Sequence, residues 1–410
     1  MRIFLLVGVI VISMFLFACP MGGNGGDAFY SEMIARSLIS SGNNYRTKQL
    51  LEKAANGEEV TIAYIGGSIT EGYNKTPDGS YVNGSYEKFK STFASGDGSH
   101  VHYVNAGMGG TPSTLGIIRY KRDVLDRAAT PPDLVVIEFA VNDGDDPTEG
   151  ATYESLVRDI LEADNNPAVI LLFSVFRSRW NLQERFIPIG ESYQLPMISI
   201  KDAIVPELDA GNLTNEEFFR DQYHPTAYGF KIMADCIIHY FSTVDAEEQA
   251  AADLVIPEDA VIGTQFCGTK MIDSNTTPAG VTINSKGSFL NTDIIMKTFN
   301  YEPLRRIFPD NWYKNVTDEN NPFSITLTCK NFMIVFKQSK LATFGTAQVY
   351  VDGSPDPEIT LQANQADAWD NPWTIVLFDN PDAAEHTIEI QMAEASFNKY
   401  FTIMALGYTE

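Results

Sequence analysis

Four short blocks hold the residues most able to do chemistry. In the first, Gly66-Gly67-Ser68-Ile69-Thr70-Glu71-Gly72, a serine follows the β-rich run Val60–Ile65. A serine at a strand-to-helix turn, with small residues before it, is exposed at the carboxyl edge of a sheet and can act as a nucleophile. The helix that follows points backbone N–H groups at a developing oxyanion. A serine that merely caps the helix is the plain alternative. A phosphate loop would need a lysine in GxxxxGK[ST], and the block has none.

The second block, Asn105 to Gly110, opens from the run Val101–Asn105. A dinucleotide fingerprint is rejected, because Pro112 stands where GxGxxG needs its last glycine. Gly107, Gly109 and Gly110 instead let a backbone N–H approach a reacting carbonyl. In the third block, Ala140-Val141-Asn142-Asp143 after Leu134–Phe139, the Asn142 amide could donate to an oxyanion; an Asn-Asp turn is the alternative. Of the five histidines, only His224 has chemical company in a loop, Asp221-Gln222-Tyr223-His224-Pro225. That spacing lets Asp221 reach Nδ1 while Nε2 faces a serine.

As a set, the blocks resemble the SGNH hydrolases, the GDSL-like esterase and acylhydrolase superfamily. The resemblance covers about residues 60–245. It implies Ser68 as nucleophile, Asp221 and His224 as the acid–base pair, and the Ser68 and Gly110 N–H groups with Asn142 as the oxyanion hole. It implies acyl transfer through a covalent serine ester, with no metal or other cofactor. Gly67 replaces the Asp of GDSL, Ile69 the Leu, and Ala140 the first Gly of GxND. None of these changes removes a reacting group.

The elements that must position these blocks are legible as alternation. Val60–Ile65, Val101–Asn105, Leu134–Phe139, Val169–Val175 and Met197–Ile200 read as strands, the first, third and fourth nearly continuous apolar runs, as in a parallel sheet buried on both faces. Ser113–Ala129, Tyr153–Ala163 and Thr226–Phe241 read as helices, so residues 28–245 predict a three-layer α/β domain. Beyond 245 the runs Ser324–Phe336, Ala347–Val351, Trp373–Phe378, His386–Met392 and Phe401–Tyr408 are separated by turn signals. Residues 246–410 therefore predict an antiparallel β-sandwich, jelly-roll-like.

A chain of 410 residues, 44% hydrophobic, can bury two cores, and its 20% charged content excludes disordered and collagen-like classes. A net charge of −24 repels phosphate backbones and argues against nucleic acid as a partner. Arg2 followed by the apolar run Ile3–Ala18 has the form of a signal peptide. Leu16-Phe17-Ala18-Cys19 resembles the lipobox of bacterial lipoproteins, which implies export and a lipid anchor on Cys19, with residues 20–27 as a tether. An ordinary secretory signal is the alternative. Export permits a Cys267–Cys329 disulfide, while Cys236 reads as a buried free thiol.

Three of the four tryptophans fall in the β-rich half, and Trp369 and Trp373 flank polar residues in a loop suited to binding sugar faces; buried structural Trp is the alternative. Signal, tether, esterase and sandwich together suggest an O-deacetylase of cell-surface or extracellular polysaccharide. A lysophospholipase or short-chain lipase, and a non-catalytic surface carbohydrate-binding protein, are the rival readings. Asp143, Asp145 and Asp146 resemble a calcium loop in charge, but Pro147 breaks the pattern and a solvated acidic loop is expected. Glu216 and Glu217 read as helix surface rather than a glycosidase pair.

Overall fold

The computed structural model describes residues 26–410. The expected signal peptide, Cys19 acylation site and tether lie outside the described residues, save that Gly26 and Asp27, expected in the tether, open the first helix, Gly26–Arg36. Six strands form the first sheet: β1 (Leu38–Ser40), β2 (Val60–Gly66), β3 (Val101–Gly107), β4 (Leu134–Glu138), β5 (Ala168–Phe173) and β6 (Met197–Ser199). Their order is β1-β6-β5-β4-β2-β3, parallel except for the antiparallel edge strand β1.

The continuous apolar runs follow from burial on both faces. Ile62, Tyr64, Val136 and Ile170 point to one side, against helices Tyr45–Asn56, Tyr81–Phe93 and Ala227–Ala246. Ala63, Ile65, Val135 and Leu171 point to the other, against helices Ser113–Asp123 and Ala151–Leu161. Period-two alternation thus yields two cores and three layers. The last strand stops at Ser199 rather than Ile200, because the Ser199 hydroxyl caps helix Ile200–Ala210 by accepting from Asp202 N–H. The helix expected over Ser113–Ala129 stops at Asp123 and gives way to a tight turn at Leu125–Arg127.

The C-terminal half contains β7 (Lys270–Ile272), β8 (Thr282–Ser285), β9 (Trp312–Lys314), β10 (Phe323–Ser339), β11 (Thr346–Val351), β12 (Ile359–Gln362), β13 (Trp369–Met392) and β14 (Phe401–Thr409). All pair antiparallel, in the order β12-β11-β13-β10-β14-β7, with β8 on β10 and β9 on β14. The two layers expected of a sandwich are one hydrogen-bonded sheet. β10 and β13 pair from Phe323↔Ile390 to Ser339↔Trp369, with a register shift between Cys329 and Asn331. Before that bulge β10 also pairs with β8; after it, with β14. Side chains from both stretches, Ile325 and Ile388 with Phe336 and Ile403, share one apolar cluster. A bulge that bends long strands is how a sheet closes over its own core.

Cys267 and Cys329 are free: the Cys267 thiol donates to Ser155 O (3.6 Å) on the α/β domain, while Cys329 is buried in β10. Cys236 is a buried free thiol. The two halves share a core, with Met333, Val335, Met404 and Ala405 in the same cluster as Leu115 and Ile118. The buried carboxylate of Glu154 accepts from the N–H groups of Val261 (2.7 Å) and Gly263 (2.9 Å), which pins the connecting segment.

Candidate active site

Strand order explains why separate blocks meet. β2 lies between β3 and β4, so the chain leaves β2 to one side and returns on the other, opening a crevice at the carboxyl ends of these three strands. Ser68 follows β2, the glycine block follows β3, and Asn142 follows β4. Two ties lock the β3 end to the serine turn. Met108 N–H donates to Gly66 O (3.0 Å), and Asn105 Nδ2 donates to Thr70 O (3.1 Å). Behind them the fully buried Arg119 donates to Ala106 O (2.6 Å) and Gly66 O (3.0 Å). Its partner Asp123 is pushed up by burial, but Arg122, Arg119 and Arg305 outweigh this and hold it well below the usual carboxylate range.

The fourth block arrives on a loop closed by Arg220 N–H donating to His224 O (2.9 Å) and by the Phe219–Pro225 bridge. Thr226 then caps the long helix Ala227–Ala246. His224 Nε2 lies 2.9 Å from Ser68 Oγ, and His224 Nδ1 lies 3.0 Å from each Asp221 carboxylate oxygen. With its proton on Nδ1 facing Asp221, the ring leaves Nε2 to accept from the serine. Burial alone would raise the Asp221 carboxyl; bonds from Tyr223 N–H, His224 N–H and the ring outweigh it and hold it at about 2.

Ser68 opens a single helical turn, Ser68–Glu71. Gly67, where GDSL has Asp, is forced by its neighbour: a Cβ there would come 2.1 Å from Asn142 Oδ1. Asn142 Oδ1 is buried, and Nδ2 takes no acceptor among the described residues, so the amide is free to donate into the crevice it lines. Gly110 has φ +70°, and a Cβ there would meet the Trp369 ring at 2.8 Å. The cavity around Ser68 measures about 430 Å³. Its wall includes Tyr73, Phe176, Tyr223 and Phe230 from the α/β half and Lys297, Asn300 and Trp369 from the β half. Glu71, Lys297 and Asn300 went unnoticed in the sequence, where nothing in the segment around 297 signals chemistry. Only the domain packing brings it to the serine.

Other candidates divide. Trp369 and Trp373 are 45% and 41% exposed, whereas Trp312 is buried in the β core. Glu216 and Glu217 lie on a short surface helix whose capping box uses Glu217. The acidic loop is only partly solvated: Asp145 is exposed as expected, but its neighbours are not. Asp143 and Asp146 are buried, and they accept from Ser113 N–H (2.7 Å) and Thr114 Oγ1 (2.6 Å), fixing the turn that presents Asn142. Burial, then the neighbouring Asp146, pushes the Asp143 carboxyl up to about 8.

That shift predicts a pH dependence of stability. Below about pH 4 the side chain is protonated in both states. Between there and about 8 only the unfolded chain releases the proton, so stability falls as pH rises, then levels. Asp143→Asn removes this titration, and its Tm should fall less than that of the wild type between about pH 5 and 8. Parallel Tm–pH curves for the two proteins would show that Asp143 is not protonated in the fold.

Comparison with known proteins gives a consistent result. Residues 64–232 match the model of the GDSL-like Lipase/Acylhydrolase family. No curated protein matches the chain. Two solved structures of a two-domain esterase (CEX) active on acetylated mannans are similar over 92% of this chain and 99% of theirs. One, co-crystallized with mannopentaose, is 26% identical with a TM-score of 0.74; the other is 27% identical with a TM-score of 0.76. Residues 64–232 of the α/β domain are thus similar to the GDSL-like lipase/acylhydrolase family, and the protein is a carboxylic ester hydrolase.

Proposed function

We propose that this protein removes O-acetyl groups from a polysaccharide outside the cell by acyl transfer through Ser68. His224 Nε2 accepts the Ser68 proton as Oγ adds to the ester carbonyl. The tetrahedral oxyanion receives hydrogen bonds from the Ser68 and Gly110 N–H groups and Asn142 Nδ2. His224 then gives its proton to the departing sugar oxygen, leaving acetyl on Ser68. Water repeats the addition with His224 as base, and acetate leaves with Ser68 restored. Asp221 stays ionised and holds the imidazolium.

The observation that carries the polysaccharide reading is a second cleft, of about 680 Å³, that joins the Ser68 cavity at Gly110 and Trp369. It is lined by the amides of Gln338, Gln362, Gln365 and Asn371 beside the exposed face of Trp373. Amides match hydroxyls and flat rings match sugar faces, in a space additional to the cavity that holds the acyl ester. The likeness to an esterase active on acetylated mannans supports the same substrate class. On this reading residues 28–245 are the catalytic unit, 246–410 supply chain-binding surface, and Cys19 anchors both to the cell envelope.

Trp373→Ala should raise KM for an acetylated oligosaccharide about tenfold more than it raises KM for an aryl acetate. Equal effects on both substrates would remove Trp373 from the sugar site. The wider test is acetate release from acetylated mannan, xylan and pectin by the soluble form beginning after Cys19. Release that Ser68→Ala abolishes is expected. Ser68-dependent cleavage of long acyl esters alone would favour a lipase, and no turnover of any ester would overturn the catalytic reading.

A further inference from the structure

Beyond the ties through Met108, Asn105 and Arg119, one buried carboxylate, Glu71, links the Ser68 turn to the glycine loop. Glu71 Oε2 accepts from Gly109 N–H (2.7 Å), the residue before Gly110, whose N–H is the proposed oxyanion donor. The remaining polar contacts of this carboxylate come from the β domain: Lys297 Nζ donates to Oε2 (2.9 Å) and Asn300 N–H to Oε1 (2.9 Å). Asn300 Nδ2 also donates to Gly72 O (2.8 Å), at the end of the serine turn. The packing leaves no slack. A Cβ on Gly109 would lie 2.9 Å from both Glu71 Oε2 and Lys297 Nζ.

The same cation braces the other side of the loop. Lys297 Nζ lies 4.8 Å from the centre of the Trp369 ring, which packs over Gly110. Both β-domain segments return to one buried ammonium. Lys337, 1% exposed, donates to Asp293 Oδ2 (3.0 Å) and Ile295 O (2.6 Å), and its Nζ lies 3.5 Å from Asp370 Oδ1. The segment carrying Lys297 and the turn carrying Trp369 are therefore fixed to the same point in β10.

We propose that Lys297 and Asn300, acting through Glu71, are positioning residues that set the Gly109–Gly110 loop, so the β domain completes the oxyanion hole of the α/β domain. The inference rests on the acyl-serine reading above. Breaking a buried ion pair leaves an uncompensated charge, which turns toward water or draws water in. Gly109 N–H would then lose its acceptor, and Gly110 would shift with it. A donor misplaced by about 1 Å costs up to about 10²-fold in rate.

The test compares Lys297→Met, Asn300→Ala, Glu71→Gln and the double variant Lys297→Met with Glu71→Gln, using an aryl acetate. Phenylboronic acid serves as inhibitor, because its tetrahedral Ser68 adduct places an oxygen in the oxyanion hole. Lys297→Met should lower kcat about 10–100-fold, with KM within about twofold and the boronate Ki raised by the same factor as kcat falls. The double variant should be no worse than the poorer single one, and Lys297→Arg should recover most of the loss. Asn300→Ala, which spares the ion pair, should show a smaller loss of the same kind. Tm measured in parallel separates positioning from folding, because a purely structural role would lower Tm and leave kcat of the folded fraction intact.

Near-wild-type kcat in both Lys297→Met and Asn300→Ala would overturn the proposal, as would a fall in kcat with unchanged boronate Ki. A rise confined to KM would make Lys297 a substrate contact instead and overturn it too. If Ser68→Ala retains turnover, the acyl-serine reading fails first, which is a distinguishable result.

Discussion

Ser68→Ala should lower kcat for acetyl esters by about 10⁴–10⁶-fold and leave Tm close to that of the wild type. On the acyl-serine reading Oγ is the atom that becomes acylated, and His224 Nε2 at 2.9 Å is placed to take its proton. The small residual rate would come from the oxyanion donors and binding, with water as the attacking group. The side chain lies in the crevice rather than the core, so its loss opens no cavity that would unfold the domain. Turnover within about tenfold of wild type would mean that another group attacks the ester.

Asn142→Ala is the second large effect, about 10²–10³-fold in kcat with little change in KM. Among the described residues its Nδ2 takes no acceptor, and its Oδ1 is buried against Gly67, where a Cβ would come within 2.1 Å of it. Such a donor gains its hydrogen bond only as negative charge develops on the substrate oxygen, so its removal should be read in kcat. An effect on KM alone would assign Asn142 to ground-state binding.

Much of this was readable before any coordinates. The runs 60–65, 134–139 and 169–175 announce a parallel sheet because strands buried on both faces leave few polar positions. The four reactive blocks stood out because each needs residue types that core packing does not, such as serine after two glycines or aspartate three positions before histidine. Other features depended on contacts distant in the chain. Asp143 and Asp146 looked like solvated charge, yet they satisfy backbone and hydroxyl donors around Ser113 and Thr114. Glu71 lies inside the most conspicuous motif, but its meaning depends on Lys297, 226 positions away. The strand expected over 373–378 and that over 386–392 proved to be two stretches of β13, because the bend between them resembles a turn locally and only pairing with β10 shows the continuity.

The central step is a covalent acetyl group carried by Ser68 during turnover of a polysaccharide ester. The direct measurement is rapid acid quench of the enzyme with an acetylated manno-oligosaccharide, followed by peptide mass mapping. One acetyl group is expected on the peptide containing Ser68, present during steady-state turnover, gone once substrate is exhausted, and missing from Ser68→Ala. Turnover of the same substrate with no acetyl group on Ser68 at any quench time, or with the acetyl group on a different residue, would contradict it.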